Sequence, residues 1–301
     1  MYTLAGVVAS FGGGVFGAAI GGLPAFIITG LVVLAGVAAG FFKDLTAARA
    51  VLNQVAFGPF VGPHIAFAGG VAAAAYAARK GLLATGKDII TPLAKLNDPG
   101  VLAVGGVFGV LGYLLQTWFA AIGLKTDTVA FTVALSGILA RWAFLAEGPF
   151  GTLSPELAKE ATPGNLGGRF VVTERAVWLP YQKDLTQLVV LGFGLGAASA
   201  SATLFTGSPV IGFGIAAAWL IFLITPGGAP VGHHIALPAA VAASMTGNLL
   251  IGALWGVLGA LIGELAARLF YNWGKSHIDP PAVAIAACNT LAVLLLVSKG
   301  G

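Results

Sequence analysis

Val61-Gly62-Pro63-His64-Ile65-Ala66 and Val231-Gly232-His233-His234-Ile235-Ala236 are two copies of one phrase, and their reading decides the fold. Each follows a Gly/Pro cluster, Gly58-Pro59 in the first half and Pro226-Gly227-Gly228-Ala229-Pro230 in the second, and each opens a short apolar run. Proline and glycine interrupt a helix and leave backbone N–H and C=O groups without partners. Hydrocarbon tolerates such groups only where protein or a water-filled cavity supplies the missing bonds. Two interruptions at matching places therefore point to a solute site built from discontinuous helices.

The surrounding composition puts the phrases in a membrane. Of the 301 residues 58% are hydrophobic and only 9% are charged, mean hydropathy is +0.95, and a soluble surface needs far more charge than this. Several apolar stretches approach the roughly 20 residues that cross a bilayer, so the chain reads as an all-α polytopic membrane protein. The formal charge of +4 does not imply nucleic acid, because Lys and Arg fall between the apolar runs instead of along one face. Cys288 is the single cysteine, which excludes an intramolecular disulfide, and no zinc spacing occurs. The N-terminus lacks the basic region of a cleaved signal peptide, so the first apolar segment is expected to stay.

The expected spans are 4–22, 24–42, the run after the first phrase up to Arg79-Lys80, 100–123 and 128–146. The pattern restarts with 186–205, 208–225, the run after the second phrase to Thr246, 249–270 and 281–298. Segment 43–57 reads as interfacial, 81–98 (with Lys87, Asp88, Lys95 and Asp98) as a solvent loop, and 147–184 as a cytoplasmic linker. Gly13, Gly17 and Gly21, four apart, are a face for close helix contact.

Aligning the halves on the phrase brings other landmarks into step. Gly22-Leu23-Pro24 falls opposite Gly207-Ser208-Pro209, Gly109-Val110-Leu111-Gly112 opposite Gly256-Val257-Leu258-Gly259, and Asp127 opposite Asp279. We read a tandem duplication: a first membrane repeat over 1–146, the linker 147–184 and a second repeat over 185–301, with about five membrane segments per repeat. If the phrase-bearing segment crosses the bilayer the repeats are inverted, and if it is re-entrant they run parallel. With ten crossings Lys159, Arg169 and Lys275 are among ten positive charges on one side and Lys43, Arg49 and Lys299 among four on the other, with re-entrant segments the division is eleven against three, and both place 81–98 and 147–184 in the cytoplasm. The expected location is the inner, cytoplasmic membrane of the cell.

The candidate substrate-binding residues are Gly62, Pro63, His64, Gly232, His233 and His234. A short helix beginning there exposes free N–H groups and the positive end of its dipole, and His64 and His234 occupy equivalent positions beside one expected central site. Gln116, Arg141, Asn248, Glu264 and Asn289 are candidate polar liners, with Glu264 one turn from Arg268 and Arg141 close to Glu147. No metal site and no cofactor is expected, and no GxSxG, P-loop or HExxH motif points to an enzyme.

The reading that follows is a channel or secondary transporter for a small anion or polar neutral molecule, with the bilayer and that solute as partners and a homo-oligomer left open. The lack of buried acidic residues argues against a Na⁺- or H⁺-coupled mechanism that relies on Asp/Glu pairs. The alternatives are an accessory subunit whose glycine faces pack on other proteins, and metal or ammonium transport through the histidines.

Overall fold

The computed structural model describes residues 2–42, 44–153, 170–225 and 228–297, and no strand occurs among them. Lys43, Lys159, Arg169, Lys299, the Pro226-Gly227 step and residues 154–169 of the expected linker lie outside the described residues.

The first helices are α1 (Leu4–Ile20), α2 (Gly22–Phe41) and α3 (Leu45–Ala50), the last continuing as a π-helical stretch over Val51–Ala56. Then come α4 (Ala68–Arg79), which follows a π-helical turn over Pro63–Phe67, α5 (Pro99–Ala121) and α6 (Thr128–Leu145). The later helices are α7 (Leu185–Thr206), α8 (Ile211–Ala218, with a 3-10 turn Trp219–Phe222), α9 (His233–Thr246), α10 (Leu249–Ala266, extended through Ala267–Tyr271) and α11 (Pro280–Leu296). Helices α2, α5, α6, α7 and extended α10 are long and apolar enough to cross a bilayer, so this is an integral, all-helical membrane protein.

Side-chain capping sets where several helices start. Thr3 accepts from the Gly6 N–H before α1, Asp98 from Gly100 and Val101 before α5, and Asn248 from Leu250 and Ile251 before α10. Each cap satisfies N–H groups that have no partner inside the helix. Between α1 and α2 the chain turns at Gly21, whose φ of 95° a side chain would resist.

Without a hydrophobic force between helices in lipid, association depends on how closely backbones approach. Gly14 of α1 lies on Gly105 and Gly109 of α5, while Gly192 and Gly196 of α7 lie on Gly256 of α10. Gly13 and Gly17 of the expected glycine face meet the carbonyls of Pro59, Phe60 and Ala66 at the first phrase, so they seat the phrase-bearing segment while Gly14 seats α5.

Two further glycines determine where the phrases sit. The His64 carbonyl lies against Gly112, about halfway along α5, and the His234 carbonyl lies against Gly259, about halfway along α10. Pro238 inside α9 lacks the N–H that would otherwise bind the His234 carbonyl, which leaves that oxygen free to face Gly259. The helical stretches after both phrases therefore begin inside the bundle.

Helices α6 and α11 also begin inside. They cross antiparallel, so that Thr126 and Asp127 ahead of α6 meet Ala286, Asn289 and Thr290 in the middle of α11. His277 and Ile278, ahead of α11, meet Gly137 in the middle of α6.

Segment 81–98 is largely exposed, as a solvent loop would be, but it is pinned to the bundle at a few points. Gly86 pairs with Ser276, Leu93 is buried, and the Ile89 carbonyl accepts from the Leu23 N–H at 2.8 Å. Lys87 donates to the Asn272 carbonyl at 3.1 Å and lies over the Tyr271 ring. Burial, with Arg141 nearby, pushes the Lys87 ammonium down to about 8.

Arg141, expected as a polar liner, is instead a clasp. It is fully buried, with Nε on the Ser276 hydroxyl at 3.1 Å, one terminal nitrogen on the Ser276 carbonyl at 2.5 Å and the other on the Pro149 carbonyl at 2.8 Å. Glu147 stands 3.8 Å away and accepts from the Lys275 N–H. This network ties α6 to the turn that launches α11. Arg141→Met leaves Glu147 buried without its cation and should cost about 3–5 kcal/mol. Detergent-solubilised protein should melt well below the wild type, and the Arg141→Met/Glu147→Gln pair should lose less than the two single losses summed.

Candidate functional site

The ends of four helical stretches converge on one cavity of about 420 Å³. Pro63 comes from the first phrase, Asp127 and Thr128 from the start of α6, His233 from the start of α9, and Asp279 and Pro281 from the start of α11. Phe26, Phe57, Phe67, Phe213 and Trp178 add aromatic rings to a remaining wall that is otherwise mostly aliphatic. No Lys or Arg is among the lining residues.

The phrase residues divide between different surroundings. Pro63 and His233 line this cavity, and the His233 ring lies 4.7 Å from that of Phe26. His64 lines a second cavity of about 360 Å³ with Asn53, Gln54, Tyr113 and Gln116. His234 has no exposure, packs on Trp178 and Gly263, and lines neither cavity. Gly62 and Gly232 are buried backbone positions, at which a Cβ would press on the Gly58 carbonyl and on the Trp219 ring respectively. Neither His64 nor His234 therefore lines the cavity that Pro63 and His233 share.

The other expected liners take several positions. Gln116 reaches the Thr128 hydroxyl at 3.5 Å beside the second cavity. Asn248 is the exposed cap of α10, and Glu264 is held by Arg268 at 2.7 Å. Asn289 donates to the Asp127 carboxylate at 3.3 Å, at the crossing of α6 and α11.

Acidic residues are not lacking inside: Glu147 and Glu264 are buried, and Asp127 and Asp279 are half-buried in the cavity wall. Each of the two aspartates caps its helix, Asp127 accepting from Ala130 N–H and Asp279 from Ala282 N–H, both at 2.9 Å. In sequence they read as the ends of loops ahead of final spans. The chain dips back into the bundle before α6 and α11, which carries both carboxylates to the cavity wall. The signal was present in their equivalence and in their N-cap positions, but not in their depth. Asp279 lies 3.0 Å from the His277 ring nitrogen, whereas Asp127 forms no ion pair among the described residues.

The approach to His233 is held from outside its own helix. Gln182 makes two hydrogen bonds to Val231, donating to its carbonyl and accepting from its N–H, each at 2.8 Å. Trp219 donates to the Pro230 carbonyl at 2.8 Å. These bonds satisfy an extended backbone that is buried at the cavity. Gln182 and Trp178, both from the segment before α7, were not singled out by sequence, since one Gln and one Trp in a polar stretch carry no periodic signal.

The chain belongs to a family of unknown function, DUF7973, whose model matches residues 1–300. No curated protein and no solved structure matches it.

Gln182→Leu removes both partners of the buried Val231 backbone and should destabilise the fold by about 2 kcal/mol, on the basis of roughly 1 kcal/mol per bond. A drop of a few degrees in the detergent melting temperature, with more rapid proteolysis at 228–232, is the expected readout.

Proposed function

We propose that the protein is a secondary transporter whose two halves are inverted repeats and whose solute site is the cavity between them. The observation that carries this reading is the convergence of four interior helix starts on a single cavity. In a membrane, such broken elements are tolerated where they line a cavity, and they are the places where a bound solute finds free backbone dipoles.

Matched contacts support the repeat. Gly112 on the His64 carbonyl has its counterpart in Gly259 on the His234 carbonyl. Gly14 against Gly105 and Gly109 is matched by Gly192 and Gly196 against Gly256. The contact of Asp127 with Asn289 corresponds to that of His277 and Ile278 with Gly137, once α6 and α11 are exchanged. Because α6 and α11 run antiparallel, the exchange turns the bundle over, as an odd number of segments per repeat requires.

The cavity also refines the solute. Apolar walls favour a body that is largely apolar, and two carboxylates disfavour an anion, so a neutral or cationic molecule fits better than the anion that the helix starts alone suggest. The accessory-subunit reading has less support, since the closest glycine contacts are spent inside the bundle.

Ala130 and Ala282 are the residues whose N–H groups the two aspartates cap, and both line the cavity. Ala282→Phe should fill the space and abolish solute uptake into proteoliposomes with little change in expression. A screen of small neutral and cationic solutes on the wild type, with this variant as the blank, is the direct test. Wild-type and Ala282→Phe vesicles that behave alike for every solute would defeat the reading.

A further inference from the structure

We infer that the crossing of α6 and α11 is a binding site for an alkali-metal cation, sodium in the first instance, centred on Asp127. Four oxygen-bearing side chains meet there. The Asp127 carboxylate receives the Asn289 amide at 3.3 Å. The Thr290 hydroxyl lies 2.9 Å from that of Thr126, and both bind the Ala286 carbonyl, at 2.7 and 3.0 Å.

The charge balance of the two halves sets this site apart from its counterpart. Asp279 faces the His277 imidazole at 3.0 Å, a group able to carry a matching positive charge. At the position aligned with Asn289 the other half has Gly137, which carries no side chain that could bond to Asp279. Among the described residues Asp127 has only neutral partners, Asn289, the Ala130 N–H and its own helix start, and Lys125 nearby is exposed. A carboxylate inside a membrane bundle is costly unless a cation balances it.

A second observation points to the ligand. Asn289 is 7% exposed, and its Oδ1 is buried without a hydrogen-bond partner. It belongs to the same amide that donates to Asp127, so an unmet acceptor stands beside an unmatched negative charge. A buried acceptor of this kind costs about 1–3 kcal/mol unless something fills the gap. A hard cation with oxygen ligands would satisfy both groups at once, and the single carboxylate sets its charge at one. No thiolate or imidazole takes part, which disfavours a transition metal.

Cation binding at this crossing would pull α6 and α11 together beside the solute cavity, which Thr126, Asp127 and Thr128 also line. The site stands on its own geometry. Its role in driving uptake rests on the transporter reading.

The test is melting of the full-length protein in detergent with NaCl, KCl or choline chloride at equal ionic strength and fixed pH. Sodium should raise the melting temperature saturably over choline. Asp127→Asn keeps the helix cap, since Asn caps as well as Asp, and should abolish the sodium shift. Thr290→Val should raise the half-saturating sodium concentration on the order of 10-fold. Asp279→Asn should leave the shift in place. Equal melting in all three salts, or a sodium shift that survives Asp127→Asn, overturns the proposal. Stabilisation by acid with no sodium dependence assigns the carboxylate to a proton and overturns it as well. A sodium shift that persists while no solute is taken up would reject the transporter reading and leave the cation site standing.

Discussion

The structure depends on satisfying backbone polar groups that end inside an apolar bundle. A helix that stops within hydrocarbon leaves N–H groups unpaired, and each unpaired group costs several kcal/mol there. This protein starts four helical stretches in its interior and meets the cost by different means at each. Asp127 and Asp279 cap α6 and α11 directly. Gln182 and Trp219 hold the backbone ahead of α9. Pro63, which has no N–H, opens the turn ahead of α4.

Glycine makes those interior starts possible. Only a residue without a side chain lets the His64 and His234 carbonyls rest on the middle of α5 and α10, and the same holds where α1 meets α5 and α7 meets α10. The 45 glycines of the chain are thus less a sign of flexibility than of close approach. Arg141 has the complementary task, converting the polar turn at Pro149 and Ser276 into a rigid support for the start of α11.

Polar residues follow a division of labour that chemistry alone does not predict. Among the expected liners, Arg141, Asn248 and Glu264 are absorbed by clasps, caps and an ion pair, Gln116 lines the second cavity, and Asn289 sits behind Asp127, to which it donates. The two aspartates that reach the central cavity do so as helix caps. One residue can therefore serve fold and function together, because the group that terminates a helix inside a membrane is also the group a solute or ion meets.

Sequence by itself determined the membrane class, the helical content, most span boundaries, and the places where helices break, because hydrophobicity and the Gly/Pro clusters act locally along the chain. Depth and direction were decided only by tertiary structure. Whether a helix start lies at the surface or at mid-bundle depends on which glycine of a distant helix it rests on, and whether an imidazole faces a cavity depends on the helical phase at that contact. His64, His233 and His234 share one phrase yet face three environments, and Asp127 lies beside Asn289 across 162 residues of chain, a distance over which no local pattern operates.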